Sequence, residues 1–150
     1  MWEDKLKEIE NEKIMYGEAI NKGASDSEIH KLEQEIIIKL ETTAPYEYIS
    51  LLKIVNGIEF NGFIIYGVDE NYLEIDPEQH INGLIEMNQI WYENEEQKKY
   101  LFLGESNIGW YVYDKESKSF KELDNPSGRE CRLFDDFDSM IDNILSDSLQ

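Results

Sequence analysis

A-P-Y-E-Y-I-S-L-L-K-I-V-N-G-I-E-F-N-G-F-I-I-Y-G-V, residues 44 to 68, reads as a short helix, a glycine stop and a tight pair of strands. Pro45 suits the first helical turn, where its missing N–H costs nothing and its fixed φ is already helical. Tyr48, Leu51, Leu52 and Val55 recur at helical spacing and give that helix one apolar face. Asn56-Gly57 then stops it, because glycine takes the left-handed conformation that helix ends favour. Ile58 to Phe60 and Phe63 to Tyr66 are β-branched and aromatic. Between them stands Asn61-Gly62, the strongest short-range signal for a hairpin.

Upstream, Trp2, Leu6, Ile9, Tyr16 and Ile20 follow a 4-3 spacing broken only by Lys13. The spacing predicts an amphipathic helix ending near Gly17. Asn21 to Ala24 is a linker. Ser25 with Glu28 three residues later is a capping box, in which each side chain satisfies a free backbone N–H. Ile29, Leu32, Ile36 and Leu40 supply the buried stripe of a second helix, and Glu41 to Ala44 turns the chain into the helix after Pro45.

Downstream, the polar segment Asp69 to His80 predicts a surface loop. Ile81, Leu84, Ile85, Asn88 and Trp91 predict a helix from about Gly83 to Glu93, and Glu93 to Lys99 a solvated connector. Tyr100 to Leu103, Trp110 to Tyr113 and Ser119 to Leu123 read as three strands. Their connections are short enough for antiparallel hairpins. Asn125 to Gly128 is a turn, Arg129 to Leu133 a short edge strand, and Asp135 a helix N-cap. Phe137, Met140, Ile141, Ile144 and Leu145 give the last helix a wide apolar face.

Helices first, strands in the middle and a closing helix do not alternate as βαβ units do. The expected class is α+β: a mostly antiparallel central sheet with N-terminal helices, one mid-chain helix and a C-terminal helix. At 150 residues, one domain spanning 1–150 is expected, large enough to bury roughly 70% of its unfolded surface.

A Pro-x-x-Tyr helix closing in Asn-Gly, then a strand ending in Ile-Tyr-Gly, resembles the SUKH superfamily. The run Val-Asn-Gly-Ile-Glu-Phe-Asn-Gly-Phe-Ile-Ile-Tyr-Gly-Val-Asp (55–69) is most similar to its small bacterial YrhA-like branch. The resemblance extends from Ile29 through the Trp91 helix and the Trp110-Tyr111 strand to the Phe137 helix. Residues 1–24 match less well. The family holds regulators of eukaryotic cell-wall synthesis and many bacterial immunity proteins. The resemblance therefore implies the same α+β architecture and a role in binding another protein. Its motifs are short and hydrophobic, so they speak to fold more than to a site.

Charge narrows the partners. Fourteen basic residues against 33 acidic ones leave a net charge of −19. Such a surface repels nucleic acid and anionic membrane and attracts basic proteins. Acidity also keeps a small protein soluble. A single cysteine, Cys131, forms no internal disulfide and builds no cysteine-based metal site alone. Neither a signal peptide nor a membrane-length apolar run is visible in the sequence, so a cytoplasmic location is expected.

Residues for chemistry are few. His30 and His80 are the only histidines and stand fifty residues apart. His30 reads as a satisfied or exposed structural residue, and His80 as a solvated one. Cys131, flanked by Arg129 and Arg132, reads as a buried or half-buried strand cysteine, since no histidine lies near it in sequence. No nucleophile elbow, zinc helix, phosphate loop or calcium loop occurs. A non-enzymatic domain is therefore expected, without cofactor, metal or catalytic residues.

The expected partner is a basic protein domain, with a toxin as the immunity reading and a regulatory scaffold as the alternative. An enzyme acting on a small cationic substrate ranks third. The candidate contact residues mix acids with an aromatic: Asp69, Glu70, Tyr72, Glu74 and Asp76 in the loop, and Glu93, Glu95 and Glu96 after the fourth helix. Carboxylates steer a cationic partner, and an aromatic side chain anchors it. Trp91 falls on the helical stripe and reads as core.

Overall fold

In the computed structural model, which describes Met1 to Gln150, β1 (Ile58–Phe60) pairs antiparallel with β2 (Phe63–Ile65). The turn residues Asn61 and Gly62 have φ of 49° and 84°, the left-handed pair that a two-residue hairpin loop requires. Beyond β2 the sheet continues through β3 (Tyr100–Glu105), β4 (Gly109–Asp114), β5 (Ser119–Asp124) and β6 (Glu130–Phe134). The six strands follow chain order, and every pairing is antiparallel. Five helices complete the α+β fold: α1 (Trp2–Met15), α2 (Asp26–Glu35), α3 (Tyr46–Ile54), α4 (Leu84–Trp91) and α5 (Phe137–Ser148).

Alternation along the strands sorts side chains between the two faces of the sheet. Leu101, Tyr113, Phe120 and Phe134 stand opposite one another across β3 to β6. Phe137 of α5 packs on that face, 5.6 Å from Phe120 and 6.4 Å from Tyr48 of α3. The other face carries Phe102, Val112 and Trp110, and Trp91 of α4 lies 5.8 Å from Phe102 and 5.3 Å from Trp110. All five helices and all six strands contribute to one cluster of 34 buried apolar residues. Each large side chain in it contributes about 1.5–3 kcal/mol by leaving water. α1 joins through α5: the Trp2 indole N–H donates to Asp138 at 3.3 Å, and Lys5 reaches Asp142 at 2.8 Å.

Buried polar groups fix the joints. The Tyr48 hydroxyl donates to the Tyr66 carbonyl at 2.6 Å, and Asn56 Oδ1 accepts from the Val68 N–H at 2.7 Å. Asn88 of α4 imitates a neighbouring strand. Its Nδ2 donates to the Phe102 carbonyl at 2.9 Å, and its Oδ1 accepts the Phe102 N–H at 2.8 Å. The edge of β3 that β2 leaves uncovered is thereby satisfied.

Several expectations are corrected. α1 buries Trp2, Leu6 and Ile9, but its next inward residue is Lys13, while Tyr16 is 81% exposed. The helix ends at Met15, so Tyr16 leaves the periodic stripe. Ile20 returns to the core half-buried. Pro45 precedes its helix as the N-cap, with an extended ψ of 140°, instead of occupying the first turn. Gly57 has the expected positive φ, 80°, yet α3 already ends at Ile54 and Val55 is extended. Its conformation therefore turns the chain into β1. The cap of α5 is Asp136, whose side chain accepts the Ser139 N–H at 2.8 Å, and Asp135 is not the cap. Cys131 is exposed on β6 and not buried. α2 widens into a π turn at Ile36–Leu40 before Glu41 (φ 56°) ends it.

Candidate functional site

The segment from Asp69 to His80 begins with a single 3-10 turn, Glu70–Tyr72, and contains no further helix or strand. Several of its polar side chains hold it in place. Asp69 is only 5% exposed. One of its carboxylate oxygens accepts the Ile85 N–H at 3.0 Å and the other the Glu86 N–H at 2.9 Å. Those are free donors of the first turn of α4, so Asp69 caps that helix from outside it. A side chain at residue 83 would collide with this carboxylate, since a Cβ there would lie 2.1 Å from Asp69 Oδ2. Burial pushes the Asp69 carboxyl above its ordinary range, against the pull of the two N–H bonds. Asp69 is thus an internal capping group and presents little surface to a partner.

Glu70 is exposed but engaged. It accepts the Ile81 N–H at 2.9 Å and stands 3.1 Å from His80 Nδ1. Glu74 is latched to the start of α2. Its carboxylate accepts from the hydroxyls of Ser25 (3.1 Å) and Ser27, and its N–H donates to Glu28 at 2.9 Å. Burial raises the Glu28 carboxyl, but the N–H groups of Ser25 and Glu74 and the Ser25 hydroxyl outweigh it and hold Glu28 below its ordinary range. Asp76 is exposed and engages no other group.

Tyr72 is half-buried against the core, and two cations surround its ring. Lys31 and Lys39 place their ammonium groups 5.9 and 5.7 Å from the ring centroid. Lys39 also donates to the Tyr72 hydroxyl at 3.1 Å, a bond that raises Lys39 above the ordinary lysine range. A basic partner approaching Tyr72 would meet these lysines first.

Glu93, Glu95 and Glu96 are all exposed beyond the C-terminal end of α4. Glu95 pairs with Lys98 at 3.0 Å within the 3-10 turn Glu95–Lys99. The loop lies at the opposite end of α4, about 12 Å of helix away. The eight candidate residues therefore form two separate groups. Trp91 is half-buried, and its indole N–H donates to the Tyr66 hydroxyl at 3.2 Å, as a residue on the inner stripe would.

No three His, Cys, Asp or Glu side chains converge as a metal site requires. No helix is long and apolar enough to cross a membrane. A third acidic surface, absent from the sequence reading, lies where α1 ends beside the hairpin. There Glu12, Glu18 and Glu59 line an open groove together with Lys13 and Tyr16. The only sequence signal for it was the lysine that interrupts the apolar spacing of α1. Comparison with protein-family models and with curated proteins finds no match to this chain.

Proposed function

We propose that this chain is a non-enzymatic protein-binding domain of SUKH type, an immunity protein that binds a basic toxin domain and blocks its active site or its access to substrate. The net charge of −19 carries the charge class of the partner, because such a field draws cationic proteins and repels nucleic acid. The immunity role comes from the resemblance of residues 55–69 to the family. An intracellular regulatory scaffold is the second reading, favoured by the regulators within that family.

The test is genetic. The neighbouring genes are inspected for a large secreted protein with a variable C-terminal domain, and that domain is co-expressed with this chain. Restored growth supports immunity. Loss of viability despite a soluble, folded chain, or a housekeeping operon with no such neighbour, overturns it. Protection should survive Cys131→Ser, His30→Gln and His80→Gln combined, since all three side chains are exposed and the proposal gives them no role. A folded triple variant that no longer protects would revive the enzyme reading.

A further inference from the structure

A tyrosine, a glutamate and two tryptophans converge at the C-terminal end of β3, on the face of the sheet that α4 approaches. Their hydrogen bonds have one possible direction. The Trp91 indole N–H can only donate, so the Tyr66 oxygen accepts it at 3.2 Å. The Tyr66 proton is thereby committed to Glu105 Oε1, 3.1 Å away. Burial first, and the Glu105 charge second, keep the Tyr66 hydroxyl protonated, well above its ordinary range. Glu105 is half-buried. Tyr66 is the only hydrogen-bond partner of its side chain, and no cation of this chain pairs with it. Half-buried Ile64 and Trp110 stand directly opposite Glu105 on β2 and β4, so the three side chains share one face.

Trp110 breaks a rule of packing. It is 6% exposed, and its indole N–H is buried without a hydrogen-bond partner. A Cβ on Gly128 would meet its Cζ3 at 3.9 Å, so its benzo edge lies at the β5–β6 turn. The opposite edge, which carries Nε1, is turned toward β3, where Glu105 stands. Phenylalanine would fill that layer without burying an unsatisfied donor. A residue held against such a cost is expected where a site, not stability, selects it.

We propose that Glu105 and the Trp91–Trp110 pair seat one arginine side chain of the basic partner. The proposal rests on the protein-binding reading above and names its contact. Arginine offers a planar fork of N–H donors to a carboxylate already oriented by Tyr66. Its delocalised plane also stacks on indoles, where the hydrated ammonium of lysine fits less well. Its methylene stem covers Ile64. A carboxylate has about four acceptor positions, enough for Tyr66, the guanidinium and the Trp110 N–H opposite. Moving Glu105 onto that buried N–H strips water from its charge, which the guanidinium offsets. The cluster is therefore fully hydrogen-bonded only with the cation in place.

The chain holds three tryptophans, so the ¹⁵N-labelled full chain gives three indole N–H signals, assigned with Trp91→Phe and Trp110→Phe. Acetyl-Gly-Arg-Gly-amide is the probe. The Trp91 and Trp110 signals should move, Trp110 downfield as its N–H gains an acceptor. The Trp2 signal should stay, because Asp138 of α5 holds that N–H on the other face of the sheet. Glu105→Gln keeps an acceptor for the Tyr66 hydroxyl and should weaken binding by at least about tenfold. Acetyl-Gly-citrulline-Gly-amide, neutral but shaped like the arginine peptide, should leave all three signals in place. Equal movement of all three signals, none at about 10 mM peptide, or the same response to citrulline would overturn the site. Equal binding of acetyl-Gly-Lys-Gly-amide would overturn the choice of arginine. The citrulline comparison uses the wild-type chain, so it stands even where a variant does not fold. The two proposals fail separately. Arginine bound at the indoles without toxin protection removes only the immunity role, whereas toxin binding indifferent to Glu105→Gln removes only the site.

Discussion

Gly57 sits at φ 80°, and a Cβ there would stand 3.0 Å from the Ile65 carbonyl oxygen. Gly57→Val should lower stability by at least about 1–2 kcal/mol, the steric cost of a left-handed residue. Urea melts check this, and an unchanged midpoint would contradict it. The glycine was legible because its conformation is a local property, although its place at a corner after the helix was not. The Ser25–Glu28 box was legible for the same reason and forms as predicted, with Ser25 accepting from Glu28 and Glu28 from Ser25. Asp135 and Asp136 show the opposite case. Two identical cap candidates stand side by side, and only the burial of Phe137 against Phe120 decides between them. Glu28 also carries a pH prediction. Its folded-state pKa is lowered, so its contribution is present above the unfolded value of about 4.3 and fades as pH falls through the folded value. Wild type should exceed Glu28→Gln in stability at neutral pH, and the gap should close in acid. Chemical denaturation at the two pH values reads the difference, and a gap independent of pH would contradict the assignment.

At the scale of elements, the hairpin, the meander from β3 to β6 and the face of α5 could be read directly, because each depends on local periodicity and short connections. The joining of β2 to β3 could not. It spans the whole loop and α4, and depends on Asn88 completing the edge of β3. Sequence spacing put Asn88 on the inner stripe of α4 without showing why a polar residue belongs there. Asn88→Ala would leave the buried Phe102 N–H and carbonyl without partners, at about 1–3 kcal/mol for each group. Native-state hydrogen exchange should show faster exchange in the β3 amides, Phe102 above all. Unchanged protection there would mean that the side chain does not hold this joint. One residue of the candidate loop was misread at the same scale: sequence does not show that Asp69 is buried as the cap of α4, nor that Glu74, though exposed, binds the start of α2.

Across the whole molecule, the net charge of −19 could be read without a fold, since it needs only to be counted. The field it creates is long-ranged, and salt screens it over a Debye length that falls from about 10 Å at 0.1 M to about 3 Å at 1 M. What the sequence could not reveal is where that charge meets exposed apolar side chains, because Glu12, Glu18 and Glu59 come beside Met15 and Tyr16 only where α1 ends next to the hairpin. The central claim is that this acidic domain captures a basic protein. The most direct test measures the association rate with a toxin domain identified by the genetic test, by surface plasmon resonance over a range of salt concentrations. The account predicts a rate that falls steeply as salt rises. A rate indifferent to salt, or no binding at low salt, would contradict it.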